Sequence, residues 1–286
     1  KRILEWAIIA RSKCKEGTCC MSDRGIREII TRKAVLAQLA ERDIHTLEQL
    51  AAMTIEELQT IHGIGSTTAP RIRARASAYV EKKPVWFGRV PDTIRKPGAI
   101  LDVRVDPDTL PQMPWGFCLA SPLNDKHYLI DVPEISNARQ LRLPDGRNVS
   151  LVPRFHSAWS NVLDLAVAND WTIYYWGKAV VKHLNETAPP KAKKDLKRRM
   201  VDLHKVFVDA VALPIKSTGL VETAEYLGYT GWTSEDKPFI AHIAYLHWRR
   251  NPDRLDSLQD ALDTMGRNTD AISHIWWWMC SGISGK

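Results

Sequence analysis

Ile100-Leu101-Asp102-Val103-Arg104-Val105-Asp106-Pro107 decides the fold. With Ala99 before it, the run is apolar, rich in β-branched residues and closed by proline, which predicts a strand over 99–106. Two more such runs follow across a short polar turn: Phe117-Cys118-Leu119-Ala120-Ser121 and His127-Tyr128-Leu129-Ile130-Asp131. Three strands in a row predict an antiparallel meander. Trp159, Val162, Leu163, Ala166 and Val167 then recur at helical spacing over 155–169, and 171–176, WTIYYW, reads as a fourth strand. Helical stretches follow at 178–186, 191–208, 218–227, 236–250, 254–264 and about 268–279. Strands, a helix, a strand and then mostly helices predict an α/β or α+β domain, with a mixed sheet of about five strands between helices.

Upstream the pattern differs. Val35, Leu36 and Leu39, then Leu47, Leu50 and Ala51, then Ile55 and Leu58 mark short amphipathic helices. Thr54 ahead of Glu56 and Glu57 is an N-cap signature, so a helix should run from Thr54 to His62 and stop at Gly63. Another should cover 69–82 with Pro70 in its first turn. Between them lies Ile61-His62-Gly63-Ile64-Gly65, followed by Ser66-Thr67-Thr68. An apolar-Gly-apolar-Gly turn between two helices lets the chain take positive φ and brings backbone amides close to a phosphate. Arg71, Arg73 and Arg75 follow on the second helix and can add charge. Such contacts carry no base information, so binding there would be independent of sequence and sensitive to salt.

Composition bounds the rest. The chain has 286 residues, 44% hydrophobic and 26% charged, with a formal charge of +7. A disordered or collagen-like chain is excluded, and no run is long and apolar enough for a membrane span. A start at Lys1 reads as a piece of something longer. The charge is patchy: residues 71–96 carry +6, the run 191–199 (KAKKDLKRR) +5, and residues 200–270 −4. Lys191, Lys193, Lys194, Lys197, Arg198 and Arg199 are therefore candidate phosphate contacts, the alternative being a solvated helix face. Pro84, Pro91, Pro97 and Gly98 suggest a linker over 84–96. Five cysteines form no disulfide framework, which makes the cytoplasm the default compartment. Cys14, Cys19 and Cys20 could hold Zn²⁺ with a distant ligand such as His45, or be free thiols. Of Trp276, Trp277 and Trp278, at least one should reach the surface, because one helix face cannot take all three.

These segments carry a resemblance. Residues 34–80, with LEQLAAMTIEELQTI before the hairpin, are similar to helix-hairpin-helix motifs, although members often have a cation where Ser66-Thr67-Thr68 stand. The Asp102 strand resembles the Asp-Ile-Glu-Gly-Asp-Pro strand of the RNase H-like domain in bacterial RecB-like nucleases. There a cysteine-bearing nuclease domain comes first, then helix-hairpin-helix repeats, then the RNase H-like domain. Ile173 to Gly177, Val201-Asp202-Leu203, Val211 to Ile215, Ser217 to Tyr229, Leu246-His247-Trp248 and the region Asp253 to Asp270 resemble its later segments in order.

The resemblance implies a basic, cysteine-containing segment at 1–33, a helix-hairpin-helix at 34–83 and an RNase H-like domain at 97–286. It also implies an iron–sulfur cluster at the three cysteines and a Mg²⁺ or Mn²⁺ pair held by four ligands. Only Asp102 and Asp270 of those four stand here, with Asp106 as a third acid nearby. The second carboxylate of Asp-x-Glu is Arg104; the next falls at Val180; the final motif has Gly266 and Arg267. One unit charge about 4 Å from another of the same sign costs about 4 kcal/mol at an effective dielectric near 20, which opposes metal loading beside Arg104. Asp102 and Asp270 should instead form ion pairs, with Arg104 and Arg267 as candidates. Asp164 and Asp202 read as surface or capping residues.

Three functions compete: a non-catalytic, DNA-favouring nucleic-acid-binding subunit or scaffold of a larger complex; an active metal-dependent 3′–5′ exonuclease with displaced ligands; and a protein-interaction module that does not bind nucleic acid. A protein partner, or the missing N-terminal nuclease domain, would complete the assembly.

Overall fold

The computed structural model describes residues 22–109, 112–123, 125–233 and 238–284. They divide into two compact units, one holding the chain up to Phe87 plus Val211–Lys216, the other Gly88–Ala210 and Ser217 onward. Cys14, Cys19 and Cys20 lie outside the described residues.

Among the described residues, the first unit has five helices: α1 Ser22–Ile29, α2 Lys33–Ala40, α3 Leu47–Ala52, α4 Ile55–Gln59 and α5 Thr68–Glu81. Short helices are marginal alone, so their ends and packing must hold them. Thr46 and Thr54 each close a capping box, with Gln49 and Glu57 returning the bond. Val35, Leu39, Leu50, Leu58, Ile61, Ile64 and Ile72 bury the apolar stripes in one core. Helix α4 stops at Gln59, three residues short of the sequence expectation, because His62 and Gly63 are already in the turn. The stretch 84–96, read as a linker, contains strand β1 Val85–Trp86 and a single 3₁₀ turn, Asp92–Arg95, with Ile94 buried.

The second unit is built on a seven-stranded mixed sheet. Its strands are β2 Gly98–Val105, β3 Pro114–Ala120, β4 Lys126–Asp131, β5 Arg139–Arg142, β6 Asn148–Val152, β7 Thr172–Tyr175 and β8 Met200–Asp202. The order across the sheet is β5-β6-β4-β3-β2-β7-β8. The meander is present: β2–β3 and β3–β4 are antiparallel, while β7 runs parallel to β2 and β8 parallel to β7. Strands β5 and β6 are additional to the sequence expectation, and β8 interrupts the helix expected over 191–208. Instead α8 Pro190–Arg199 ends at β8 and α9 Leu203–Ala210 follows it.

Alternation along the strands gives the sheet two buried faces. Ala99, Leu101, Phe117 and Leu119 pack under α6 Phe155–Ala168, α7 Ala179–Thr187 and α8. Cys118, Tyr128, Ile130 and Leu151 pack under α11 Pro238–Arg250 and α12 Leu255–Ser284. A short helix, α10 Leu220–Tyr226, packs on α12. The 254–264 and 268–279 helices are one element. Gly266 lies in its middle because a Cβ there would stand 2.9 Å from the Tyr128 hydroxyl. The two-residue strand β9, Val211–Ala212, pairs antiparallel with β1 and belongs to the first unit.

Candidate nucleic-acid interface and carboxylate cluster

In the hairpin the two glycines do different work. Gly63 has φ +92°, a conformation L side chains rarely adopt. Gly65 has no positive φ, and a Cβ on it would meet nothing within 4 Å. The space beside its Cα is open. Ile64 is the buried anchor between them, while Gly65, Ser66 and Thr67 are exposed. Thr67 caps α5 without a side-chain bond, and the first amides bonded back, Thr68 and Ala69, both reach the Gly65 carbonyl. The preceding amides are those a phosphate would use.

Two supports were not legible in the sequence. Gln38 grips His62 on both sides, accepting from its N–H at 2.9 Å and donating to its carbonyl at 3.1 Å. Arg32 donates to the Gly63 carbonyl at 3.1 Å. Both come from sequence-distant positions, which spacing alone does not pair. Beside the hairpin a groove of about 160 Å³ has Arg32, Thr68, Arg71 and Arg75 in its wall, together with the apolar side chains of Ile29, Ile30, Val35, Ile64 and Ile72. Arg73 is exposed on the same helix. Arg75 departs from expectation. It is half-buried and donates to the carbonyls of Glu28 and Ile215, so its first task is to tie the unit together.

In the basic run, Ala192 and Leu196 are buried and fix which face looks out. Lys191, Lys194, Lys197 and Arg198 are exposed; Lys193 is half-exposed. Arg199 pairs with Asp170 at 3.0 Å and is not a spare cation. Arg198 and Arg199 line a cavity with Lys96, Pro97 and Thr172, at the starts of β2 and β7. Asp102 stands four residues further along β2, about 13 Å at the usual rise per residue. The C-terminal end of the run therefore lies away from the Asp102 cluster.

That cluster sits on the face of β2 turned toward α12. Arg104 Nε donates to Asp102 Oδ2 at 2.9 Å, both side chains mostly buried, and Asn268 donates to Asp102 Oδ1 at 3.3 Å. Asp270 is held by Lys126 Nζ at 2.8 Å, so Lys126 takes the place expected of Arg267. Between them Cys118, opposite Asp102 in the strand register, contacts Thr269. Its thiol is pushed up to about 12 by burial, which leaves it an inert packing group. Val180 is buried in the apolar core, where no carboxylate could be charged. Asp106 is engaged elsewhere, with Asp108 and His242. Asp202 accepts from the Gly177 and Lys205 amides, and Asp164 is exposed, both as expected.

The ligands for a Mg²⁺ or Mn²⁺ pair do not fit here. Asp102 and Asp270 are each already neutralised by a cation, and two metal ions would have to displace Arg104 and Lys126. Trp277 is the tryptophan that reaches the surface, and with Trp276, Tyr229, His274 and Asp270 it lines a cavity of about 400 Å³.

Residues 30–78 match the family described as a SAM-like helix-hairpin-helix tandem. The helix-hairpin-helix thus covers the capped short helices, the Gly63–Gly65 turn and most of α5, and a domain of this kind fits nucleic-acid binding. No curated protein and no solved structure matches the chain. Among the described residues, no helix is long and apolar enough to cross a membrane.

Proposed function

We propose that the chain binds DNA without sequence preference through the 61–68 hairpin, and serves as a non-catalytic subunit or scaffold in a larger nucleic-acid-processing complex. The observation that carries this reading is the hairpin: an exposed Gly65 with open space beside its Cα, an α5 start without a side-chain cap, and Arg32 and Arg71 in the wall of the adjoining groove, within a matched helix-hairpin-helix. We read the second unit as an RNase H-like nuclease fold. What supports this is the order β4-β3-β2-β7-β8, three antiparallel strands followed by two parallel to the first, with Asp102 on the first strand and Asp270 on the last helix. The Asp102–Arg104 and Asp270–Lys126 pairs favour lost cleavage over displaced ligands.

Gel-shift titrations of the full chain at two salt concentrations test the binding. Affinity should fall steeply with salt and vary little with sequence. Incubation of end-labelled single and double strands with Mg²⁺ or Mn²⁺ should give no cleavage. Cleavage abolished by Asp102→Asn would overturn the non-catalytic reading. No DNA binding at low salt would overturn the nucleic-acid reading and leave a protein-interaction module.

A further inference from the structure

We propose that Asp106, Asp108 and His242 form a binding site for a single zinc-type divalent cation, separate from the Asp102–Asp270 cluster. One ligand atom from each of the three lies within 4.8 Å of the other two. Asp106 follows β2 directly, Asp108 is two residues on, and His242 projects from α11, so a bound ion would fasten the end of the strand to the helix covering it.

His242 points to a ligand independently of the acids. Its side chain is 8% exposed, and among the described residues neither ring nitrogen has a hydrogen-bond partner. A neutral imidazole has one N–H and one lone pair; with the proton on Nδ1, the Nε2 lone pair faces Asp106, meets no donor and is open to a metal ion. Nε2 stands 3.5 Å from Asp106 Oδ1. That is long for a hydrogen bond. It is close to the edge of a tetrahedron around zinc, about 3.4 Å for metal–ligand bonds of about 2.0–2.1 Å. Trp115 and Tyr245 flank the ring, at centroid distances of 6.4 and 6.3 Å, and give the site apolar walls.

The acids are also held in place. Asp106 donates its N–H to the Met113 carbonyl, its carbonyl accepts from Thr109 Oγ1, and its carboxylate accepts from the Asp108 N–H at 2.9 Å. Asp108 is exposed, so water can take a fourth position. One imidazole with two carboxylates suits Zn²⁺ better than Mg²⁺, which prefers oxygen ligands and keeps its waters.

The test titrates Zn²⁺ by calorimetry into the full chain, with Cys14, Cys19 and Cys20 replaced by serine so that thiols do not compete. One equivalent should bind, Co²⁺ should give tetrahedral-type visible bands without thiolate charge transfer, and Zn²⁺ should raise the melting temperature. His242→Gln and Asp108→Asn should each weaken binding by at least about tenfold. His242 is buried and its variant can misfold; Asp108 is exposed, so Asp108→Asn leaves the fold intact and decides the matter. No zinc bound by the chain with Cys14, Cys19 and Cys20 replaced, or equal affinity in Asp108→Asn, would mean that His242 and Asp106 form a plain ion pair and would overturn the proposal.

Discussion

Gly63 and Gly65 are two residues apart, yet their substitution should have opposite consequences. A side chain on Gly63 is strained whatever the space around it, because its φ is +92°. Gly63→Ala should lower stability by about 1–2 kcal/mol. Gly65→Ala meets open space, so melting should stay where it was. If the backbone there receives a phosphate, DNA affinity should drop for every sequence alike. Melting curves beside gel shifts separate the two, and unchanged affinity in Gly65→Ala would remove that residue from the interface. Asp131 makes a second residue-scale case. Burial, helped by Glu134 and opposed by Arg249, raises its carboxyl from 3.8 to about 6, and Oδ1 lacks a hydrogen-bond partner. A raised acid binds its proton more tightly when folded, so stability is full below pH 4 and falls as pH rises toward 6. Above that, the charged form costs on the order of 2–3 kcal/mol. Asp131→Asn should therefore be more stable than the parent at pH 7, and the gap should close near pH 4 in denaturant titrations. Asp102 and Asp270 were singled out by the family resemblance, and each does have a cationic partner. Lys126 and His242 were not legible in the sequence, because each meets its carboxylate across the tertiary fold rather than along the chain.

Among the elements, helices with a clear apolar stripe and a capping signature were readable, and edge strands were not. The β5 stretch, Arg139-Gln140-Leu141-Arg142, is mostly exposed and polar, so no buried alternation announces it. In 191–208 the basic helix and α9 merge by periodicity, and only the sheet, pairing Met200 with Ile173, makes three residues extended. The basic helix carries its own prediction. Lys191, Lys194 and Lys197 are exposed, whereas Arg199 is tied to Asp170. If the helix tracks a nucleic-acid strand, replacing those three lysines with glutamine should reduce the salt slope of binding by about 0.7–0.9 for each phosphate the chain no longer neutralises. Arg199→Gln should change stability more than slope. A slope unmoved by the triple change would make the run a solvated face. At the hairpin, Gln38→Ala removes two hydrogen bonds to the His62 backbone and should cost about 1–2 kcal/mol without altering net charge. Any loss of DNA affinity in that variant then reports on hairpin geometry, not on electrostatics.

At the scale of the whole chain, the two units are not two consecutive stretches of sequence. The chain leaves the first unit after Phe87, returns to it for Val211–Lys216, and leaves again. Composition marked a boundary near residue 84 but gave no sign of that return, since Val211-Ala212-Leu213 reads like any other buried apolar run. Its contribution is physical. Ala212 packs against Ala74 and Ala78 of α5, Val211 and Ala212 pair with β1, and the Ile215 carbonyl accepts from Arg75. A fragment ending at residue 87 would expose the alanine face of the helix that follows the hairpin, leave β1 without a partner and free one carbonyl ligand of Arg75. The fragment 22–87 should therefore melt well below a version in which residues 211–216 are rejoined through a flexible glycine–serine linker, with a difference of several degrees for each kcal/mol recovered in a domain of this size. Arg75→Gln should lower the melting point of the rejoined version more than that of 22–87, because only the former contains the Ile215 carbonyl. Equal melting of the two fragments would mean that residues 211–216 merely follow the first unit and do not hold it together.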